Sequence, residues 1–380
     1  MERPYQICTK CVMDTSDPEI TFDENGVCNH CHRRDYLIER YVLKGDVGKR
    51  ALDYWVKRIK SDGRKKPYDC IIGISGGVDS SYAAYLTHKL GLRPLAVHVD
   101  NGWNSELSVK NIELLLNKLN IDLYTEVLDW ETFRDLQVAF LKASTPDSEI
   151  PTDHAIVAVL RKTAEKERIK YIIVGSNYMT ETHVPRSWSY GTEDLMYIKS
   201  LNRLFGTHSL EKFPHYNLFM DWVYKYKFQR FPILNYIDYN KTRAISILNN
   251  EIGWKYYGGK HYESIYTRFY QGYILPKKFG YDKRRSHFSS LICSGEMSRE
   301  NALIELQKPP YPLQQQLEDR QYVIKKLELS EEEFERIMSS PPKTHLDYPC
   351  YDRFFIKLRK NGAYKLLQQA NRKLKIINQR

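Results

Sequence analysis

Ser75-Gly76-Gly77-Val78-Asp79-Ser80-Ser81 follows the apolar run at 70–74 and precedes a helical pattern over 82–90. A buried strand that ends in Ser-Gly-Gly and opens into a helix makes a cradle for phosphate. The glycines let the backbone approach an anion, the amides and the helix N-terminus point at it, and the hydroxyls add donors. Asp79 lies at the helix start, placed for a magnesium ion held between a carboxylate and phosphate oxygens. No Gly-Lys-Ser/Thr follows, so this is not a Walker loop and the motif brings no lysine of its own to the outer phosphates.

The arrangement resembles the PP-loop of the N-type ATP pyrophosphatases, which cleave ATP between the α- and β-phosphates and attach AMP to a carbonyl-type oxygen. That resemblance implies an α/β, adenine nucleotide alpha-hydrolase-like fold in which Ser75, Gly76, Gly77, Ser80 and Ser81 hold pyrophosphate. A second stretch agrees: the apolar residues 171–174 lead into Gly175-Ser176-Asn177-Tyr178-Met179-Thr180-Glu181. In amide-forming relatives, a glycine ending a later strand and a glutamate six residues on place a second carboxylate near the pyrophosphate. The resemblance therefore makes Asp79 and Glu181 the catalytic and magnesium-binding pair, with Gly175 beside the nucleotide. Residues 95–102 form another strand that ends in polar residues, and in a parallel sheet that edge faces the ligand crevice. The resemblance seats adenosine against Val99, Asp100 and Asn101. Read on its own, Asp100 is equally a loop cap.

Cys8-x-x-Cys11 and Cys28-x-x-Cys31 form two knuckles separated by residues 12–27, which contain Asp-Pro and Asn-Gly turns. This spacing predicts a four-thiolate, tetrahedral, structural zinc ribbon with no open position for substrate. Such a site replaces the hydrophobic core that a forty-residue unit cannot build. His30 and His32 flank the second knuckle and are expected to be spectators. Disulfides are the alternative. Met1-Glu2-Arg3-Pro4 carries no secretory signature and an ATP-using enzyme works in a reducing compartment, so zinc and a cytoplasmic location are expected.

With 380 residues, 42% of them hydrophobic, the chain can build two domains and a small module. No run approaches eighteen apolar residues, so no membrane span is expected. The 58 Lys+Arg against 47 Asp+Glu give a net +11. That excess suits an anionic sugar nucleotide or an acidic partner protein as well as RNA, and nothing else points to nucleic acid. Cys70, Cys293 and Cys350 are isolated, and Cys70 reads as packing within a buried strand.

The chain divides into a zinc-ribbon module at 1–45, a PP-loop ATP pyrophosphatase domain at 46–250, and a mainly helical substrate or partner region at 251–380. Helices are expected at 34–43 and 49–60. Strands at 70–74, 94–99, 121–127 and 171–174 alternate with helices at 80–90, 105–119, 130–142 and 153–168, which predicts a parallel sheet with helices on both faces. Pro151-Thr152-Asp153-His154 reads as an N-cap for the last of these helices, although related enzymes turn polar residues here toward the nucleotide. Beyond residue 250, basic and aromatic residues interleave. The Gly258-Gly259 turn beside Lys260 and His261, together with Arg268, Arg284 and Arg285, supplies candidates for a substrate phosphate or carboxylate. Residues 313–380 read as charged helices joined by the Pro-rich turn at 339–343, with no evident chemistry.

Taken together, the Cys-Thr-Lys-Cys-Val-Met-Asp-Thr-Ser-Asp-Pro start, the Cys-Asn-His-Cys knuckle, the Ser-Gly-Gly-Val-Asp-Ser-Ser loop and Gly-Gly-Lys-His-Tyr-Glu-Ser at 258–264 resemble the N-acetyl sugar amidotransferase family. The likeness extends to about residue 300. The resemblance implies a bacterial surface-polysaccharide (O-antigen) or nonulosonic acid enzyme that uses ATP and Mg2+. It would convert an acetamido group of a nucleotide-activated sugar, such as a diacetamido uronic acid, to an acetamidino group through an O-adenylyl imidate. Position 2 is Glu, and no cysteine lies in a Gly-x-Cys-x-Gly elbow, so a separate glutaminase must supply ammonia. The resemblance implies a HisH-like glutaminase with a HisF-like ammonia conduit. The alternative is a tRNA-thiolating PP-loop enzyme, but such enzymes usually carry reactive cysteines near the loop, and the spare cysteines here show no pairing.

Overall fold

The computed structural model describes residues 3–360, so the expected helix beyond 360 lies outside the described residues. Two helices, α1 (Asn29–Tyr41) and α2 (Gly45–Gly63), lead into an alternating unit: β1 (Cys70–Gly73), α3 (Val78–Lys89), β2 (Pro94–Asp100), α4 (Glu106–Leu119), β3 (Leu123–Val127), α5 (Trp130–Lys142), α6 (Ile150–Lys166) and β4 (Tyr171–Val174). The sequence reading names each of these within a few residues. It does not foresee α7 (Leu195–Phe205), α8 (Leu218–Lys227), the edge strand β5 (Gln229–Pro232) or α9 (Lys241–Ile252). The rest is helical: α10 (Ile265–Phe269) running into a π-helical segment (Tyr270–Phe279), then α11 (Lys283–Cys293), α12 (Arg299–Gln307), α13 (Leu313–Lys326), α14 (Glu331–Ser339) and α15 (Tyr351–Lys360).

All strands are parallel, in the order β3-β2-β1-β4-β5. β1 and β4 are continuous apolar runs because both their faces are covered. On one face Ile72 and Ile173 pack with Val56, Ala83, Leu115 and Leu248 of α2, α3, α4 and α9. On the other, Ile71 and Ile172 meet Val159, Leu160 and Ala164 of α6. Each fully buried aliphatic side chain contributes about 1.5–3 kcal/mol.

A second core joins Phe133 and Phe140 of α5 and Ile198 of α7 to Tyr266, Phe269, Val323 and Phe334 from beyond residue 250. The cysteine module packs through Met13 and Ile20 onto Trp188, with Tyr281 and Cys293 against it. Packing thus crosses both sequence boundaries, at 45 and at 250. None of the described helices is long and apolar enough to cross a membrane.

Candidate functional site

β1 is flanked by β2 on one side and β4 on the other, so the winding of the sheet reverses between β1 and β4 and opens a crevice at their carboxyl ends. The loop after β1 and the turn after β4 both enter it. Gly76 sits at φ +79 with its α-carbon against Ser108, where a β-carbon would come within 2.8 Å of the Ser108 carbonyl oxygen. Gly175 is needed for a different reason. A β-carbon there would lie 2.7 Å from the Asp79 carbonyl carbon and the Ser80 nitrogen, because the end of β4 presses on the first turn of α3. Gly175→Ala should therefore push the PP-loop off β4 and cost about 1–3 kcal/mol of stability. Denaturant unfolding checks this, and an unchanged midpoint would refute the close approach.

Ser75, Gly77, Val78, Asp79, Ser80, Gly175 and Glu181 line a cavity of about 180 Å³. The Ser75 and Ser80 hydroxyls lie 3.1 Å apart, and the Gly77 amide donates to Ser75 Oγ at 3.3 Å. Tyr257 accepts from the Val78 amide at 3.1 Å, and the Trp254 indole donates to the Gly76 carbonyl at 3.3 Å, so the 254–257 segment braces the loop from above. Ser81 is a correction to the sequence reading. It is fully buried, its hydroxyl has no partner, and it does not reach the cavity. Successive helical residues point about 100° apart, so Ser80 and Ser81 cannot both face the ligand.

The charges of this cavity are arranged for a cation and a polyanion. Burial, then the neighbouring Glu181, pushes the Asp79 carboxyl above the usual carboxylate range, against the pull of Lys241 and Lys260. Tyr239 donates to Asp79 Oδ1, and Lys260 Nζ stands 3.4 Å from Glu181 Oε1. Lys241 is buried, its ammonium pulled below the usual lysine range by desolvation. A buried carboxylate whose proton affinity is raised by a neighbouring carboxylate is relieved by a divalent ion with oxygen preference, so the donor set fits Mg2+. Lys241, Lys260 and the α3 N-terminus fit a pyrophosphate beside it.

Lys260 also belongs to the wall of a second cavity, of about 400 Å³, formed with Tyr256, Tyr262, Arg268, Lys283 and His287. His287 is held neutral, well below the usual histidine range, by burial and then by Lys241, Lys260 and His261; its Nδ1 has no protein partner. The three arginines singled out in the sequence fare differently. Arg268 lines this cavity with its guanidinium engaged by Asp319 at 2.7 and 2.8 Å. Arg284 lines it too, with its guanidinium clamped to Asp282 and to the carbonyls of Glu305, Lys308 and Pro309. Arg285 turns away altogether, to Asp14 and the Val12 carbonyl, and braces the cysteine module instead of a substrate.

At the end of β2, Asp100 accepts from the Gly102 amide at 2.9 Å, as a loop cap does, and from Asn104 at 3.0 Å. The half-buried Val99 packs against both the α6 core and the α5 core. Asn101 donates to Thr152 Oγ1 at 3.2 Å. That contact corrects the capping expectation. α6 begins at Ile150 with Glu149 at its N-cap making no side-chain bond, so Thr152 and Asp153 lie inside the first turn. The Asp153 carboxyl is pushed up to about 7 by the walls around it and by Glu149 and Asp147.

The four knuckle sulfurs are buried and unbridged, with Cys8–Cys31, Cys11–Cys28 and Cys28–Cys31 separations of 4.0, 3.7 and 3.8 Å. The edge of a tetrahedron with zinc–sulfur bonds of about 2.3 Å is about 3.8 Å, so the cluster fits zinc. Backbone amides of Cys11, Cys28 and Met13 point at the sulfurs, as a thiolate cluster requires. His30 and His32 instead pair with Asp17 and Asp23.

Lys241, Tyr239, Tyr257 and His287 are site residues that sequence reasoning missed. One signal was present: Lys241 opens α9 directly after the Asn240 cap, where the helix dipole disfavours a cation. His261, by contrast, lies where the sequence placed it, on the cavity wall at φ +65 and 3.5 Å from Glu263.

Residues 263–361 match the family "LPS biosynthesis protein WbpG-like, C-terminal domain", and residues 51–202 match NAD synthase. Among solved structures, the NMN synthetase from Francisella tularensis is similar at 21% identity, with 37% of this chain and 58% of that one covered and a TM-score of 0.28. The chain thus spans less than two thirds of that protein's length. No curated protein matches it.

Proposed function

We propose that the chain is an ATP-dependent sugar amidotransferase of the WbpG-like, PP-loop lipopolysaccharide biosynthesis type. A PP-loop domain joined to this C-terminal domain fits an ATP-using enzyme of the C–N ligase type that modifies a sugar. The finer reading is conversion of an acetamido group on a nucleotide-activated sugar to an acetamidino group. The observation that carries it is the meeting of two cavities at Lys260: a phosphate cradle on one side and an aromatic, basic chamber on the other.

An amide carbonyl is a poor electrophile, so its oxygen must become a leaving group before ammonia can displace it. In the proposed reaction the acetamido oxygen attacks the α-phosphorus of ATP, pyrophosphate leaves, and the amide proton is lost as the O-adenylyl imidate forms. Ammonia then adds to the imidate carbon, and AMP departs with the original oxygen as the amidine forms. Ser75, Gly77, Ser80 and the α3 N-terminus would hold the departing pyrophosphate. Lys241 and Lys260 would balance its charge. Asp79 and Glu181 would hold Mg2+, which supplies further charge neutralisation there. Tyr256 and Tyr262 offer faces for the sugar or its base, and His287 Nδ1 offers a polar contact. Among the described residues no cysteine lines either cavity, which supports this reading over the thiolating one. Ammonia would come from a HisH-like glutaminase with a HisF-like conduit.

Mass spectrometry tests the proposal on the chain with ATP, Mg2+, ammonium and a diacetamido uronic acid sugar nucleotide. The expected product is lighter than substrate by about one mass unit, oxygen having been exchanged for NH. AMP and pyrophosphate should appear with it, and nothing should form with an ATP analogue bridged by methylene between the α- and β-phosphates. No lighter sugar, but sulfur entering tRNA under a sulfide supply, would give the reaction to the thiolating class.

A further inference from the structure

Cys293 stands alone in the sequence, yet the fold brings it to Cys31. Its Sγ lies 4.0 Å from Cys31 Sγ and 3.8 Å from His183 Nε2, and His183 Nε2 lies 3.8 Å from Cys31 Sγ. Cys31 is at the same time a corner of the four-cysteine cluster, 3.8 Å from Cys28 and 4.0 Å from Cys8. A tetrahedral zinc ion with bonds of about 2.3 Å to sulfur and about 2.0 Å to nitrogen sets sulfur–sulfur and sulfur–nitrogen edges of about 3.8 and 3.6 Å. The triangle is within a few tenths of an ångström of both.

The surroundings fit a ligand role for His183. The imidazole is fully buried, and its Nδ1 faces Ser290 Oγ at 3.0 Å and Thr182 Oγ1 at 3.3 Å. A metal-binding histidine is usually oriented by such a bond on its other nitrogen. That leaves Nε2 aimed at two sulfurs, with no carboxylate among its bonded neighbours.

We infer that Cys31, His183 and Cys293 form a second zinc subsite, joined to the four-cysteine site through Cys31 as a bridging thiolate. Two sulfurs and one imidazole nitrogen suit a borderline-soft divalent ion, and three protein ligands leave a fourth position for water or another soft donor. The inference rests on the four-thiolate reading only through Cys31. Its consequence is positional. His183 follows Glu181 by two residues, and Cys293 ends the helix whose other end brings Lys283 and His287 to the larger cavity. A metal at this point would tie the Glu181 turn and α11 to one rigid thiolate cluster.

The test is metal analysis of the full chain, purified without chelator, equilibrated with excess zinc and freed of unbound ion. Two zinc ions per chain are expected, falling to one in Cys293→Ser and in His183→Gln with unchanged circular dichroism. Cys350→Ser, a control at a buried cysteine outside the cluster, should keep both. If a variant loses both metals or fails to fold, cadmium-113 exchanged into the wild-type chain decides. Two resonances are then expected, one from an all-sulfur site and one from a mixed sulfur–nitrogen site, coupled through the shared thiolate. A single resonance, a wild-type count of one, or variants that keep the wild-type count overturn the second subsite while sparing the first. A Cys31–Cys293 disulfide in a peptide map of the purified protein would also overturn it, and a count of zero would remove both sites.

Discussion

Asp79→Asn should slow pyrophosphate release from ATP by about a hundredfold or more, while raising the melting temperature of the metal-free protein. Both effects come from one feature. Burial, and after it the Glu181 carboxylate, raises the proton affinity of Asp79 in the fold above that of an unfolded carboxylate. At low pH, below the unfolded value, Asp79 is protonated in both states and costs nothing. As the pH rises toward and through its folded pKa, the folded state carries a penalty that the unfolded state does not. At neutral pH the amide removes that penalty and leaves the isosteric contact with Tyr239 in place.

Magnesium should reverse the order of stability. A cation that binds only the folded pair stabilises the wild-type chain by mass action, and the variant lacks one of the two ligands. Thermal melts with and without Mg2+, at acid and at neutral pH, read the effect directly. The wild type should gain stability from Mg2+ at neutral pH, and the gain should vanish in Asp79→Asn. If the variant melts lower than the wild type in the absence of metal, or keeps the full Mg2+ response, the two carboxylates are not the cation site.

What the sequence shows of this site is what lies within one strand–loop–helix unit. The PP-loop is legible because the apolar residues of β1, the two glycines and the start of α3 are contiguous, and their local order already dictates the cradle. Gly175 and Glu181 come instead from the resemblance to amide-forming relatives, which ties a glycine ending a later strand to a glutamate six residues on. Lys241 and His287 are not legible, because each reaches its cavity only when α9 and α11 dock, and no local pattern encodes that docking. β5 escapes for another reason: four residues that begin with Gln-Arg and end in proline carry no alternation, and only pairing beside β4 makes them a strand. Arg284 and Arg285 show the limit of reading charge clusters. Adjacent on one helix, they point to opposite tasks, and the sequence shows only that both are basic.

Cys11→Ser should cost the protein several kcal/mol and uncouple its N-terminal module from the rest of the fold. A structural zinc site contributes its binding free energy to folding, and here the small module has little else. Its hydrophobic cluster is the four cysteines with Met13, Ile20 and Trp188, so the four thiols are most of its apolar core. The same cluster anchors distant chain, because the Arg299 guanidinium reaches the carbonyls of Cys8 and Cys11 at 2.9 and 3.0 Å. Trp188 gives a local readout: it is fully buried and stacked on Tyr281 at 5.2 Å, so loosening the module should shift its emission to longer wavelength. A strong zinc chelator added to the wild type should produce the same shift, and restored zinc should reverse it. If Cys11→Ser leaves both the emission and the unfolding midpoint unchanged, the four thiols are ordinary core residues and the tetrahedral spacing of their sulfurs has no metal to explain it.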